Sequence, residues 1–262
     1  MPDEDNSPVI RTDIPHSARV WNYWMGGNDY YEIDRIAGDA GIEIDPEIVT
    51  MAVQSRQFLI RAVRYLAGDA GLRQFLDIGT GLPTVQNTHE VAQGIAAESK
   101  VVYIDNDPMV LVQSSATTRA GVTTYIEADC NDPERIVAEA QHVLDFDRPV
   151  GVMFMGVLGH ATSYADVSRI VRTVLAAVPS GSYLVVWDGT DDSADYVKLC
   201  DNYTGTGGAP YLPRPKEQIR DLFDGLELVE PGFVSITQWR TDTMEKALTR
   251  PISAYCAVAR KP

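Results

Sequence analysis

The chain has 262 residues, 45% of them hydrophobic and 23% charged, with a formal net charge of −15 at pH 7. That is apolar material for one large core, so a single domain with elaborations is expected rather than two. The acid excess, with no run of Lys or Arg, argues against a nucleic-acid partner, because phosphate backbones demand clustered cations. The longest apolar run, Val150 to Gly159, is too short to span a bilayer, and the acidic start Met1-Pro-Asp-Glu-Asp-Asn does not read as a signal peptide. Cys130, Cys200 and Cys256 are far apart and show no Cys-x-x-Cys spacing. Neither a disulfide framework nor a metal site is expected from them, and a reducing cytoplasm fits.

Residues 1–13, acidic and with two prolines, are expected to be disordered. Residues 14–70 read as an N-terminal helical segment. It opens on the aromatic stretch Ala18-Arg-Val-Trp-Asn-Tyr-Trp-Met-Gly-Gly-Asn-Asp-Tyr-Tyr31, where Ser17 can cap a helix that Gly26-Gly27 ends. A helix over 46–67 follows, because Ile48, Met51, Phe58, Leu59, Ala62 and Leu66 recur at helical spacing and Pro46 suits the first turn. From 71 to 262 strands and helices alternate. Strands are predicted at 74–79, 100–105, 123–127, 149–156 and 182–188, and helices at about 84–97, 108–118, 133–143, 163–177 and 191–202. The run 149–156 is continuously apolar, as a central parallel strand would be. A breaker-rich loop, Gly205 to Pro215, leads into a helix over 215–224. Strands at 226–237 and 253–260 have no good helix between them, which suggests an antiparallel hairpin at the end of the sheet.

Two segments carry chemistry. Gln74-Phe-Leu-Asp-Ile-Gly-Thr-Gly-Leu82 reads as a strand that stops at two glycines, and Val101-Val-Tyr-Ile-Asp-Asn-Asp107 as a strand that stops at acids. A strand, a glycine turn, a helix and an acid-tipped strand are the parts of a nucleoside-binding βαβ unit. Glycine at 79 and 81 lets the backbone turn tightly and approach a ligand with no Cβ in the way. A carboxylate at the second tip can accept hydrogen bonds from both ribose hydroxyls. A dinucleotide fingerprint needs a third glycine where Thr84 stands, and Pro83 stiffens the turn. A nicotinamide-dependent oxidoreductase is therefore the weaker reading, and a tight turn with no nucleoside is the alternative to both.

The pattern Asp77-x-Gly79-x-Gly81 resembles the first motif of S-adenosylmethionine-dependent methyltransferases. Nearly the whole chain is similar to a bacterial family of such enzymes without an established acceptor. The resemblance rests on Ala18–Asp29, on Phe75-Leu-Asp-Ile-Gly-Thr-Gly-Leu-Pro-Thr84, on Asn87-Thr-His-Glu-Val-Ala-Gln93 and on Val102-Tyr-Ile-Asp-Asn-Asp-Pro108. It implies an α/β, Rossmann-like sheet of seven strands in the order 3-2-1-4-5-7-6, the last strand antiparallel, with helices on both faces and an N-terminal helical lid. It implies S-adenosyl-L-methionine as cofactor, bound by Asp77, Gly79, Thr80, Gly81, Asp105, Asn106, Asp129, Cys130, Met155 and Gly156. Asp105 would hold the ribose hydroxyls, Asp129 would accept from the adenine amino group, and Asp77 would orient the turn or meet the methionine ammonium. Asp107, just before Pro108, is a natural helix cap. The chain departs from the family at Asn28, where lysine is usual, and at Gly159, where a bulkier residue is common.

The N-terminal segment has two readings. Arg19, Tyr23, Gly26, Gly27, Asn28 and Tyr30 could form a lid over the cofactor, with aromatic faces toward its sulfonium; or Trp21, Trp24 and Tyr31 simply pack on the sheet. His89 reads as structural. His160 is the candidate general base, since neutral imidazole can take a proton near pH 7, and a packed or cofactor-facing role is the alternative. Methyl transfer to an unidentified small-molecule acceptor, lined by Trp187-Asp188 and the 203–215 loop, is the expected activity, with no metal and no membrane partner. A protein that binds the cofactor or its demethylated product without turnover is the rival from another class.

Overall fold

The computed structural model describes residues 10–114, 122–241 and 250–262. Most of the expected disordered start, and the expected end of the helix over 108–118, lie outside the described residues. The strands are β1 (Gln74–Ile78), β2 (Lys100–Asp105), β3 (Thr123–Glu127), β4 (Gly151–Met155), β5 (Tyr183–Gly189), β6 (Glu227–Leu228), β7 (Val234–Ser235) and β8 (Ala254–Arg260). They form one sheet in the order β3-β2-β1-β4-β5-β8-β6, with β7 also pairing with β8. The first five are parallel, and β8 runs antiparallel to β5, β6 and β7.

All residues of β1 and β5 are buried, as befits parallel strands covered on both faces. Alternation along each strand divides the core in two. Phe75, Val101, Tyr103, Met153, Val185 and Trp187 face one layer. That layer contains α1 (Ser17–Trp24), α3 (Glu47–Arg64), α4 (Thr88–Ile95) and α8 (Ala194–Gly205). Leu76, Ile78, Val102, Ile104, Phe154 and Val186 face the other, which contains α6 (Pro133–Ala140), α7 (Tyr164–Ala177) and α9 (Lys216–Asp221). The remaining helices are α2 (Glu32–Ile44) and α5 (Pro108–Ser114).

Two expectations need correction. The strand expected over 226–237 is split into β6 and β7. Pro231 has no N–H to give the ladder and Gly232 takes φ +84°, so the chain turns away and rejoins β8 further along. Helix α2 was not anticipated, because Gly38 and Gly41 lower helix propensity. Packing supplies the reason for both glycines. A Cβ on Gly38 would lie 2.5 Å from the Tyr23 ring, and one on Gly41 would lie 2.8 Å from the Trp24 ring. Trp24 Nε1 donates to the Gly38 carbonyl at 3.0 Å, so α1 lies directly on the backbone of α2.

A buried ion pair joins these two helices. Arg19 Nε lies 2.9 Å from Asp34 Oδ2, with side chains 2% and 0% exposed. Asp34 also accepts from the His16 and Tyr31 backbone amides at 2.8 and 2.9 Å. Removing one member of such a pair strands the other charge out of water. Asp34→Ala is therefore expected to lower stability by roughly 3–5 kcal/mol, read as a shift in the urea unfolding midpoint. An unchanged midpoint would show that the pair does not hold α1 to α2.

Candidate active site

A cleft of about 300 Å³ lies at the carboxyl ends of the parallel strands, at the lower end of the roughly 300–1,000 Å³ usual for small-molecule sites. This is the edge where open α/β sheets bind ligands, on either side of the point where strand order reverses between β1 and β4. Its floor is the turn after β1. Gly79 and Gly81 take φ +72° and +66°, a region unfavourable to residues with a Cβ. A Cβ on Gly79 would also lie 2.3 Å from Val157 Cγ2. The Gly79 amide donates to the Ile104 carbonyl at 2.8 Å, which folds the turn toward the tip of β2.

At that tip Asp105 binds protein with both carboxylate oxygens. Oδ2 accepts from the Gly81 amide at 2.8 Å and Oδ1 from the Asp107 amide at 2.9 Å. Each oxygen keeps a further lone pair for a ligand. Burial raises the Asp105 pKa above the usual carboxylate value, an effect opposed by those two amides. Asp107 does what a cap should, accepting from the Met109 amide at 2.9 Å at the start of α5. Its other oxygen lies 2.9 Å from His16 Nδ1. Burial alone would raise the Asp107 pKa, but the His16 contact holds it below the usual value. Asp129, after β3, accepts from the Asn131 backbone amide at 2.8 Å and from its side-chain amide at 2.9 Å. Although desolvation would raise its pKa, these bonds keep it low, so it stays an anionic acceptor.

The structure gathers Gly79, Thr80, Gly81, Asp105, Asn106, Asp129, Cys130, Met155, Gly156 and His160 around this one cleft. The Cys130 thiol is pushed up to about 12 by burial and stays protonated. Gly156, with φ +75°, lies against Trp187, whose ring a Cβ would approach to 2.3 Å. His160 Nδ1 lies 2.8 Å from the Pro210 carbonyl. A carbonyl only accepts, so Nδ1 carries the proton and Nε2 is the acceptor of the neutral ring. Burial lowers the His160 pKa below 6.5, which favours that neutral form.

Asp77 lies beneath the cleft rather than in its wall. Its Oδ2 accepts from the Thr88 hydroxyl at 2.6 Å, tying β1 to the first residue of α4, while Oδ1 is buried with no hydrogen-bond partner among the described residues. Desolvation raises its pKa to about 6. Other expected residues also fall outside the lining. Arg19 is turned into the ion pair with Asp34, and the Tyr23 hydroxyl donates to Asp39 at 2.5 Å. Gly26 and Gly27 close α1, their amides donating to the Tyr23 and Asn22 carbonyls at 2.9 Å each. Asn28 is exposed beyond that cap. The N-terminal segment does reach the cleft, through His16, Ser17, Trp21, Trp24 and Met25. Trp21 stacks on Trp187 with ring centroids 5.7 Å apart. Helical spacing carries the signal here. Trp21, Trp24 and Met25 share one face of α1, three or four residues apart, whereas Tyr23 projects toward α2.

Arg56 is a charged lining residue that the sequence does not single out as part of the site. It sits on α3, donates to the Val85 carbonyl at 3.2 Å and to Asn87 Oδ1 at 2.8 Å, and so clamps the segment after the glycine turn. Nothing in its local sequence marks it. Asp188 alternates away from Trp187 on β5 and stands behind the wall, where it accepts from the Tyr211 hydroxyl. His89 is structural, with Nδ1 2.9 Å from the Tyr103 hydroxyl.

Residues 3–262 match the model of a family described as S-adenosyl methyltransferase. The chain is 42% identical to a DUF574 family protein from Streptomyces avermitilis MA-4680, with a TM-score of 0.90 over 96% of this chain and 99% of that one. It is 36% identical to a candidate methyltransferase from Thermobifida fusca YX, with a TM-score of 0.87 over 95% and 96% of the two chains. A SAM-dependent methyltransferase from Anabaena variabilis ATCC 29413 shares the fold alone, at 10% identity and a TM-score of 0.51 over 97% of this chain and 99% of that one. No protein of curated function matches the chain. With the sheet order and the glycine turn, these matches make the chain a member of the S-adenosyl methyltransferase family, an enzyme that takes its methyl group from S-adenosylmethionine.

Proposed function

We propose that the turn Gly79–Gly81, Asp105, Asn106, Asp129 and Cys130 hold the cofactor, that His160 serves the acceptor, and that residues 14–70 cover both. The observation that carries this reading is the Asp105 carboxylate, fixed by the Gly81 and Asp107 amides at the rim of the cleft. The donor set fits S-adenosylmethionine. Asp105 and Asp129 supply acceptors for ribose and for an exocyclic amine, the unpartnered Oδ1 of Asp77 and the Arg56 cation lie beside the turn, and three indole rings line the cleft. The cofactor, when bound, supplies a methyl group already activated on a sulfonium, so no metal is needed.

The protein's own part is to position the acceptor and to take its proton. Alignment of this kind is worth on the order of 7–11 kcal/mol. His160 Nε2, left as acceptor by the Nδ1 bond to Pro210, receives the proton from the acceptor group. The helices α1 and α3 exclude water through Trp21, Trp24 and Leu59. The acceptor is a small molecule, since the cleft holds only about 300 Å³ and the net charge of −15 disfavours nucleic acid. The three cysteines are free and buried, which suits the cytoplasm; among the described residues no helix is long and apolar enough to cross a membrane.

Asp105→Ala should weaken S-adenosylmethionine binding by roughly 1.5–3 kcal/mol in calorimetric titration, because charge-assisted bonds are lost. Affinity equal to wild type would remove Asp105 from the site. The pH profile tests His160. A base must be unprotonated, so the methylation rate should rise as pH climbs through the His160 pKa, which burial holds below its usual value, and then level off. His160→Gln should lower kcat by about 100-fold or more and flatten the acid limb; an unaltered limb would mean that another group titrates.

A further inference from the structure

The cleft is chemically divided. Every charged side chain in its described lining is spoken for on the cofactor side or on its border. Asp105 and Asp129 stand at the tips of β2 and β3, Arg56 clamps the segment after the glycine turn, and His16 pairs with Asp107. The half over β5 and α8 has none. Its walls are the rings of Trp21, Trp24, Trp187, Tyr196, Tyr203 and Tyr211, with Met25, Leu199 and Cys200 between them. Two of its hydroxyls are already paired and its thiol is neutral. Tyr211 donates to Asp188, the Tyr203 hydroxyl donates to the Pro15 carbonyl at 3.3 Å, and burial holds the Cys200 thiol up at about 12. The Trp21 and Trp187 rings stack at an interplanar angle of 26°. Tyr211 packs directly on the backbone at 159 because that residue is glycine; a Cβ there would lie 2.4 Å from the ring.

From this division we propose that the acceptor is an uncharged, planar aromatic compound bearing the hydroxyl that faces His160. The proposal rests on the cofactor reading above and narrows its acceptor. A carboxylate, phosphate or ammonium entering this half would lose its hydration with no counter-charge in the lining to meet it, whereas an aromatic face gains offset or edge contacts with the lining rings. The surplus of acidic groups on the protein as a whole also repels an anionic acceptor. In the reaction the acceptor oxygen forms its bond to the methyl carbon as the sulfur–methyl bond breaks. The hydroxyl proton passes to His160 Nε2 and then to water, and S-adenosylhomocysteine leaves.

The test uses the full-length protein saturated with S-adenosylhomocysteine, whose own binding is first established by calorimetry. Three of the four tryptophans line the cleft, so ligand entry is read as quenching of tryptophan emission. The probes are naphthol, naphthoate, naphthylmethylammonium and cyclohexanol. Naphthol is expected to bind saturably and at least about tenfold more tightly than each of the other three, a difference of roughly 1.4 kcal/mol. Met25→Arg, at the half-buried position that ends α1, should invert the naphthol-to-naphthoate preference, measured at S-adenosylhomocysteine concentrations that saturate the variant. Naphthoate or the ammonium binding as tightly as naphthol overturns the uncharged class, and cyclohexanol doing so overturns the aromatic one. Absence of saturable binding by any probe to the loaded protein overturns the proposal as a whole. Failure of S-adenosylhomocysteine itself to bind would instead sink the cofactor assignment.

Discussion

The carboxylate of Asp105 is the constraint on which the site depends. One of its oxygens fixes the Gly81 amide and the other the Asp107 amide. Through Asp107 the same network reaches His16, whose backbone amide is held by Asp34, and Asp34 in turn meets Arg19. A single chain of charged and polar contacts therefore runs from the glycine turn to the helices that cover it. Most of its members are buried, where such contacts are strong when complete and costly when broken.

This arrangement explains why the covering segment is built as it is. Gly38 and Gly41 would be poor choices for an isolated helix, yet they let α1 sink onto α2 until Trp24 bonds to backbone. That depth fixes which residues of α1 remain for the cleft. The aromatic stretch thus serves two surfaces, with Tyr23 turned to α2 and Trp21 turned to Trp187. One face of the helix packs on α2 and another lines the cleft, so the two readings of the segment are geometrically compatible.

The side of the cleft over β5 is held largely through backbone carbonyls. His160 bonds the Pro210 carbonyl, Leu212 donates to the Gly159 carbonyl at 2.8 Å, and Arg214 donates to the Leu158 carbonyl at 3.1 Å. These bonds staple the loop after α8 to the segment that follows β4, and Tyr211 on that loop lines the cleft beside His160.

The sequence by itself determined the parallel core, the glycine turn and the acids at the strand tips. Those features are local: apolar runs make buried strands, and only glycine suits the backbone at 79 and 81. It also identified the family through residues clustered in a few short segments. It did not separate Asp77, which lies beneath the cleft, from Asp105, which lies in it, because which of two buried strand acids meets the ligand depends on what covers each face. It could not find α2, whose glycines make sense only against Tyr23 and Trp24, nor Arg56, which reaches the turn from a helix more than twenty residues upstream. Nor could it show that Arg19 is taken up by an ion pair with Asp34. Tertiary structure decided these points, because a side chain's role is set by the partners that folding brings within a few ångströms, and those partners are distant in the chain.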